Sequence, residues 1–487
     1  MAGTRRQGVF PRVARRRNRE LRGLHHDDLA ARPLLTSPHM TPPSFRRLRR
    51  AAGWLGLAAL LIAGATIAVV SSSAWRSSPT TILLTCLATV SALVLAWRAS
   101  LVARYRPVPP PDDDDLLPHL TVVVPAFNEG RQVYDTVASI VASDYPHARV
   151  QLIAIDDGSS DDTWRWIERA RRDFGIEAIR SSANRGKRHA LYAGFGRARG
   201  DVIVTVDSDS EVRPDTLRHL VAPIVADPEV GGVAGTVRVL HRRQMIPRML
   251  DVTYTHSFEL VRASESVLGA VVCCPGALSA YRRSIIDAVK EEWVSRRVFG
   301  RPANIGEDRA LTNHTLRRGY QVVLQNTAVV LTDAPTTYPQ LWRMLLRWAR
   351  SNVRETVVLG GFVFSRFRRG SMLGIRILFV HHALTMAITG LLFVPTLVAL
   401  VLHPGLLLAA AIAALVAATV PFGVYMLCRR PSGAIWAFPY SLLSTFGLIW
   451  ITPLALITPH RTGWLTRGQP TPSPSSVPSA VTPRVTT

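Results

Sequence analysis

Apolar stretches of membrane-spanning length constrain the fold of this chain more than any other feature of its sequence. Residues 51–70 and 80–97 are each close to the length of about 20 residues that a helix needs to cross the hydrocarbon core of a bilayer. Only residues 71–79 separate the two stretches, so the pattern predicts a transmembrane hairpin. Three further apolar regions come late in the chain, at about residues 375–401, 406–427 and 434–457.

The distribution of arginine indicates how this hairpin is oriented. Arginines flank both outer sides of the hairpin, as Arg46, Arg47, Arg49 and Arg50 before it and Arg98, Arg104 and Arg106 after it, whereas the connecting loop contains only Arg76. Because cytoplasmic flanks carry an excess of Lys and Arg, both ends of the hairpin and the region that follows are expected in the cytoplasm. The formal net charge of +24 therefore indicates anionic membrane lipid rather than nucleic acid as the partner of the basic segments.

The same patterns divide the chain into six segments. They are a disordered basic tail (1–50), the transmembrane hairpin (51–97), a soluble domain (119–337), amphipathic interfacial helices (338–371), C-terminal transmembrane helices (372–459), and a last segment with a disordered tail (460–487). In the fourth segment, apolar Leu341, Leu345 and Trp348 oppose Arg343, Arg347, Arg350 and Arg354. A basic amphipathic helix of this kind, next to membrane spans, is expected to lie in the interface plane.

The soluble domain has the pattern of an α/β fold. Short β-branched runs at residues 120–124, 150–155 and 201–206 predict strands, and amphipathic patterns at residues 163–174 and 187–199 predict helices. Alternation of strands and helices predicts a parallel sheet with right-handed crossovers. Ligands of such sheets bind beyond the carboxyl ends of the strands.

Polar residues follow all three predicted strands at their carboxyl ends. Pro125 to Glu129 follow the first strand, Asp156 and Asp157 the second, and Asp207 and Asp209 the third. A diphosphate leaving group requires a hard divalent cation held by oxygen ligands, so Asp207 and Asp209 are candidate ligands of Mg²⁺ or Mn²⁺. The alternative is that they are solvated loop carboxylates. Likewise, Asp156 and Asp157 could simply form a turn through Gly158 that opens the next helix.

Three more groups of residues have the chemistry that a sugar transfer needs. The basic residues 184–188 precede a helix, where backbone amides and cations could meet phosphates. Asp308, at the start of the helix predicted over residues 309–318, could remove the proton from an acceptor hydroxyl. The indole of Trp348 could stack on a pyranose, and the guanidinium of Arg347 could reach a phosphate. The alternatives are a solvated loop, acidic residues at a helix N-terminus, and an aromatic anchor in lipid headgroups.

Taken in order, these elements resemble the processive family-2 glycosyltransferases, in particular hyaluronan synthases and nodulation-type chitin oligosaccharide synthases. The matching motifs are VVVPAFNE (122–129), DDGS (156–159), GKRHA (186–190), DSD (207–209), CCPGALSAYR (273–282), GEDRALT (306–312), RWARSNVRE (347–355) and GWLTR (463–467). The resemblance covers residues 121–467 and implies a GT-A-type, Rossmann-like domain between transmembrane helices.

The resemblance also implies a role for individual residues. It implies a UDP-sugar donor (UDP-GlcNAc, UDP-GlcA or both) and a growing β-linked polysaccharide as partners, in a multi-pass plasma-membrane enzyme with a cytoplasmic catalytic domain. The implied site residues are Pro125, Glu129, Asp157, Lys187 and Asp207 for the donor, Asp207 and Asp209 for the metal, Asp308 as general base, Arg347, Trp348, Cys274 and Gly276 for the acceptor, and Trp464, Thr466 and Arg467 for gating.

Some positions depart from the family pattern, and some alternatives stay open. Met344 replaces the Gln of the family's Gln-x-x-Arg-Trp element, which removes an amide from the acceptor or phosphate site. A non-processive transferase that glycosylates a lipid, another β-glycan synthase, an exporter without catalysis, and a nucleic-acid binder are the competing hypotheses. Three C-terminal spans would put residues 463–467 outside the cell, whereas the gating role that the resemblance implies needs them in the cytoplasm. Either a further crossing therefore exists, near Pro439 or Pro453, or one stretch is re-entrant. Whether the chain is a monomer or a homo-oligomer is not decided by the sequence.

Overall fold

The computed structural model describes residues 47–49, 51–53, 56, 79–298, 300–429 and 431–461. Ten strands occur in this part of the chain: β1 Leu120–Ala126, β2 Val150–Asp156, β3 Glu177–Arg180, β4 Val202–Val206, β5 Ser210–Val212, β6 Val230–Val239, β7 Leu278–Arg282, β8 Arg297–Val298, β9 Arg301–Pro302 and β10 Gln321–Thr332. Eight of them form one sheet in the order β3-β2-β1-β4-β7-β6-β10-β5, and β8 and β9 form a separate small hairpin.

The sheet is mixed. β1 pairs in parallel with both β2 and β4, and β2 pairs in parallel with β3, so the predicted parallel arrangement is confirmed for these four strands. β6 and β10 also pair in parallel, whereas the prediction is wrong for β7, which runs antiparallel to β4 and β6, and for β5, which runs antiparallel to β10. An antiparallel strand needs no crossover helix that packs on the sheet. The connection between β6 and β7, residues 240–277, is nevertheless rich in helix and leaves the sheet before the chain returns to it as β7.

Fourteen α-helices accompany these strands from residue 79 onward in the described part of the chain, and the described residues 47–49, 51–53 and 56 are helical as well. They are α1 Pro79–Arg104, α2 Gln132–Val141, α3 Thr163–Phe174, α4 Lys187–Phe195, α5 Thr216–Ala226, α6 Met245–His256, α7 Ala263–Val267, α8 Arg283–Ser295, α9 Glu307–Arg317, α10 Tyr338–Val363, α11 Leu373–Leu402, α12 Leu406–Cys428, α13 Ala437–Leu442 and α14 Ile451–Ile457. A π-helical turn, Ser257–Arg262, joins α6 to α7. The predicted helix over residues 163–174 is confirmed as α3, whereas the helix predicted over residues 187–199 ends early, at Phe195.

The core of the domain lies on the central strands. Val122, Val123 and Val124 of β1 and Ile153 and Ile155 of β2 are fully buried. Burial of each such side chain contributes roughly 1.5–3 kcal/mol, so these apolar strand centres stabilise the sheet. Helix α4 packs on β1 and β2, and α5 packs on β6 and β10.

Three helices in the described residues are long and apolar enough to cross a membrane: Thr85–Arg104, Leu373–Leu402 and Leu406–Cys428. The apolar region predicted over residues 434–457 is broken instead into Pro431–Gly447 and Ile451–Ile457, with a bend of 46° between them. Most of the first half of the predicted hairpin, and nearly all of the predicted disordered tails, lie outside the described residues.

Helix α10 corresponds to the predicted interfacial helix, with one correction. Arg350 and Arg354, predicted on a basic outer face, are 4% and 1% exposed and point into the protein. Helical periodicity alone could not show this, because the partners that surround these arginines come from distant parts of the chain. Trp348, predicted on the opposite apolar face, is 44% exposed.

Candidate active site

A cavity of about 1150 Å³ opens at the carboxyl ends of β1 and β4 and extends to the membrane helices. Ten of the residues predicted from the sequence line this one cavity: Pro125, Glu129, Asp157, Lys187, Asp207, Asp209, Gly276, Asp308, Arg347 and Trp348. They come from positions 125 to 348. The strand ends of the sheet place Pro125, Asp157 and Asp207 at one edge, and helices α4, α9 and α10 bring Lys187, Asp308, Arg347 and Trp348 to the same cavity.

Asp157 lies just beyond β2 and is held by backbone amides. The N–H groups of Arg185 and Gly186 donate to its Oδ1 and Oδ2 at 3.1 and 2.7 Å. Burial raises the pKa of Asp157, and these two amides oppose the shift. Gly158 takes the predicted tight turn with φ of +73°, and a Cβ at this position would lie 2.5 Å from the Ala183 carbonyl carbon. The turn therefore fastens the loop before α4 to the end of β2.

Lys187 connects two carboxylates across the cavity. Its Nζ forms a short contact with Asp207 Oδ1 and lies 3.2 Å from Glu307 Oε1. Burial alone would lower the pKa of Lys187, but Asp207 and Glu307 outweigh burial and raise it. Gly276 leaves room for this ion pair, since a Cβ there would lie 2.7 Å from the ammonium nitrogen. The lysine is thus a fixed cation beside the predicted metal ligand Asp207.

Asp209 lies between β4 and β5 on the same edge of the sheet. Its Oδ1 accepts from the hydroxyls of Thr332 and Ser210 at 3.3 and 3.2 Å. Among the described residues, no group of three or more His, Cys, Asp or Glu side chains could hold a metal. Mg²⁺ is commonly bound through one or two carboxylates together with substrate phosphates, so Asp207 and Asp209 fit a cation whose remaining ligands include a diphosphate.

Asp308 lies in the first turn of α9 on the opposite wall of the cavity. Arg309 N–H donates to its Oδ1 at 2.7 Å, and Cys273 Sγ lies 3.9 Å from its Oδ2. Burial, and then the neighbouring Glu307, raise the pKa of Asp308 to about 6. Burial would raise the pKa of Glu307 as well, but the positive charge of Lys187 outweighs burial and holds this pKa below its usual range. The pKa values of the two adjacent carboxylates are therefore shifted in opposite directions. The raised pKa of Asp308 suits a general base that works near neutral pH.

An aromatic pair forms the wall next to the membrane helices. The ring of Trp348 lies 6.2 Å from the ring of Tyr254, with 40° between their planes, and both side chains line the cavity. Met344, one turn earlier on α10, is buried in an apolar cluster with Leu341, Leu448 and Ile451. Met344 also lines the cavity, so its thioether lies at the boundary between this apolar cluster and the site.

Two sequence-based interpretations need correction. Cys274, predicted to bind the acceptor, is fully buried, and its backbone N–H donates to Thr312 Oγ1 at 3.1 Å; its neighbour Cys273 lines the cavity instead. Arg188, in the basic segment predicted to meet phosphates, is buried over the ring of Trp293, and its guanidinium donates to the Trp293 carbonyl at 2.6 Å. Adjacent residues point in opposite directions here, which a motif cannot show.

Trp464, Thr466 and Arg467, the residues predicted to act in gating, lie outside the described residues.

Sequence reasoning did not single out several residues of the cavity wall. Tyr254 on α6, Arg98 on α1 and His382 on α11 all line it. Arg98 donates to Ser264 Oγ at 2.8 Å and lies 3.3 Å from Glu265 Oε1, at the point where α1 meets α7. The only signal for His382 was an ionisable residue within an apolar segment, which is rare unless it faces the protein interior or a cavity. Arg98 follows the apolar stretch 80–97, and its position indicated only the orientation of the hairpin.

Comparison with known proteins agrees with this geometry. Residues 121–290, from β1 to the middle of α8, match the family model "Glycosyl transferase family 2". They form a family-2 glycosyltransferase domain. The fold of the domain is GT-A, as in a mannosyltransferase from Pyrobaculum calidifontis in complex with GDP-Man and Mn²⁺, with a TM-score of 0.51 at 21% identity over 76% of this chain and 98% of that one.

Relatives of known activity extend the likeness beyond the glycosyltransferase domain model. An N-acetylglucosaminyltransferase of Rhizobium meliloti is 34% identical over 276 residues, which are 54% of this chain and 64% of the relative. A hyaluronan synthase of Streptococcus pyogenes is 33% identical over 247 residues, 49% of this chain and 58% of the relative. The matched part of the chain thus spans less than two thirds of the length of either relative.

Proposed function

We propose that this chain is a processive, inverting glycosyltransferase that uses UDP-sugars, UDP-GlcNAc, UDP-GlcA or both, to lengthen and translocate a β-linked hyaluronan-like or chitin-like polysaccharide. The observation that carries the proposal is the single cavity shared by the strand-end carboxylates, Asp308 and Trp348, which continues to Arg98 and His382 of two membrane helices. The two relatives named above, an N-acetylglucosaminyltransferase and a hyaluronan synthase, support the same class of product.

On the donor side, this chain's residues hold the nucleotide diphosphate. Asp157 and Pro125 lie at the strand ends where the nucleoside binds, and Lys187 is the cation nearest to Asp207. Asp207 and Asp209 would hold Mg²⁺ or Mn²⁺, which when bound supplies positive charge to the leaving diphosphate. The ammonium of Lys187 is positioned to neutralise part of the same charge.

On the acceptor side, Trp348 stacks the terminal sugar and Asp308 takes the proton of its hydroxyl. The acceptor oxygen forms a bond to the anomeric carbon from the face opposite the diphosphate. The bond between the anomeric carbon and the diphosphate oxygen breaks, and UDP departs with the electron pair. The result is an inverted, β-configured linkage and one proton on Asp308.

The arrangement at the membrane fits a catalytic domain on the same side as both ends of the bent segment, Pro431–Gly447 and Ile451–Ile457. Arg248 of α6 lies 5.4 Å over the ring of Trp436, near the start of the bent segment. Near its end, Tyr338 Oη donates to the Gly447 carbonyl at 2.6 Å, and Arg350 Nε donates to Thr458 Oγ1 at 3.1 Å. Both ends of the segment contact residues of the catalytic side, which supports a re-entrant segment with the domain in the cytoplasm.

Sizing the product tests this function most directly. Purified protein in lipid is incubated with UDP-GlcNAc, with UDP-GlcA, and with both, in the presence of Mg²⁺ or Mn²⁺, and the products are resolved by length. We expect a polymer from the wild type and none from Asp308→Asn, while Asp287→Asn, an exposed carboxylate on α8, serves as the matched control. Transfer of a single sugar to a lipid would instead support the non-processive alternative.

A further inference from the structure

The loop that carries Asp308 is held by the same helix that carries Trp348. Gly306, just before α9, has φ of +78°, and a Cβ there would lie 2.0 Å from Ser351 Oγ of α10. The loop backbone thus lies directly against α10. Asn352, the next residue of α10, accepts a short hydrogen bond from the guanidinium of Arg309.

Two charged residues of α10 add to this contact from within the protein. Arg354 is 1% exposed, and its Nη2 donates to the Ile305 carbonyl at 3.1 Å. Glu355 is 2% exposed, and its Oε2 accepts from Asn313 of α9 at 2.9 Å and from Arg296 at 3.2 Å. Charged side chains are rarely so deeply buried unless they are paired, and these two attach α10 to both ends of the segment around Asp308.

A separate contact holds the loop from the opposite side. Trp293 of α8 is fully buried, and its Nε1 donates to the Glu307 carbonyl at 3.0 Å. The carbonyl groups of Ile305 and Glu307 are therefore both fixed, one by α10 and the other by α8. Because Asp308 follows directly, these two attachments fix the backbone from which its carboxylate projects.

We propose that Arg354 and Glu355 are positioning residues that keep the base Asp308 in register with the acceptor platform Trp348. Only six positions of one continuous helix separate Trp348 from Arg354. The indole that stacks the sugar and the two residues that hold the segment of Asp308 therefore lie on the same helix, which fixes the distance between sugar and carboxylate. This inference rests on the function proposed above, since it needs Asp308 to accept a proton from the sugar on Trp348.

The test compares Arg354→Lys and Arg354→Ala, and Glu355→Gln and Glu355→Ala, with Arg317→Ala as an exposed control on α9. Donor binding is measured by UDP titration, and kcat and donor KM by sugar transfer. A misplacement of about 1 Å can lower a rate on the order of 100-fold, so we expect that loss in kcat for the alanine variants, with donor KM and UDP affinity within about three-fold of wild type. The lysine and glutamine variants are expected to retain more activity than the alanine variants.

A double-variant comparison separates positioning from general loss of structure. Losses from independent sites multiply, whereas coupled sites do not. Combining Trp348→Ala with Arg354→Lys should therefore cost clearly less than the product of the two single losses. Unchanged kcat in a folded, UDP-binding Arg354→Ala and Glu355→Ala, or strictly multiplicative losses, would overturn the inference. If the wild type itself transferred no sugar, the proposed function would fail instead, which distinguishes the two outcomes.

Discussion

Replacing Gly306 by alanine changes the loop of Asp308 at the point where it touches α10. The added Cβ would lie 2.0 Å from Ser351 Oγ and 3.0 Å from Ser351 Cβ. Non-bonded heavy atoms prefer a separation of about 3.5 Å, so the loop and the helix must part by on the order of 1 Å. The left-handed backbone, with φ of +78°, adds a cost of roughly 1–2 kcal/mol for a residue with a side chain.

A displacement of this size is expected to lower kcat on the order of 100-fold while UDP still binds, because the donor-side residues lie on other elements. The assay is steady-state transfer from a UDP-sugar, combined with UDP titration as a measure of folding. Ser351→Ala offers a specific rescue, since Ser351 Oγ has no hydrogen-bond partner among the described residues. Ser351→Ala alone should be close to neutral, and Gly306→Ala with Ser351→Ala should recover about ten-fold of the loss. Wild-type activity in Gly306→Ala, or no recovery in the double variant, would refute this reasoning.

Three further predictions concern the base, the metal and the acceptor. Because burial and Glu307 raise the pKa of Asp308 to about 6 and only the ionised carboxylate accepts a proton, kcat/KM should fall about ten-fold per pH unit below that value; a flat profile from pH 5 to 8 would contradict the assignment. Asp209→Asn should lose transfer activity at saturating UDP-sugar, and chelation of divalent cations should abolish it in the wild type; metal-independent activity would exclude the assigned ligands. Trp348→Ala should shorten the product more than Trp348→Phe, which keeps a stacking face; equal product lengths in both variants and wild type would remove Trp348 from the acceptor site.

Much of the candidate site could be predicted because its chemistry is local in sequence. Asp157, Asp207 and Asp209 each follow an apolar strand directly, and strands of one parallel sheet end at a common edge. The pattern of residues around a strand end thus predicts both the side chain and its place. The same logic found Asp308 at a helix N-terminus and Trp348 on α10, without any knowledge of how far apart they lie.

The tertiary structure alone decided which side chains enter the protein. Cys273 rather than Cys274 faces the cavity, and Arg354 is buried although helical periodicity places it with exposed arginines. The antiparallel entry of β7 into the sheet and the 46° bend between Pro431–Gly447 and Ile451–Ile457 are features of the same kind. Their physical reason is that burial of a charge or a strand edge depends on partners far along the chain, such as Ile305 for Arg354, and those partners meet only once the fold has formed.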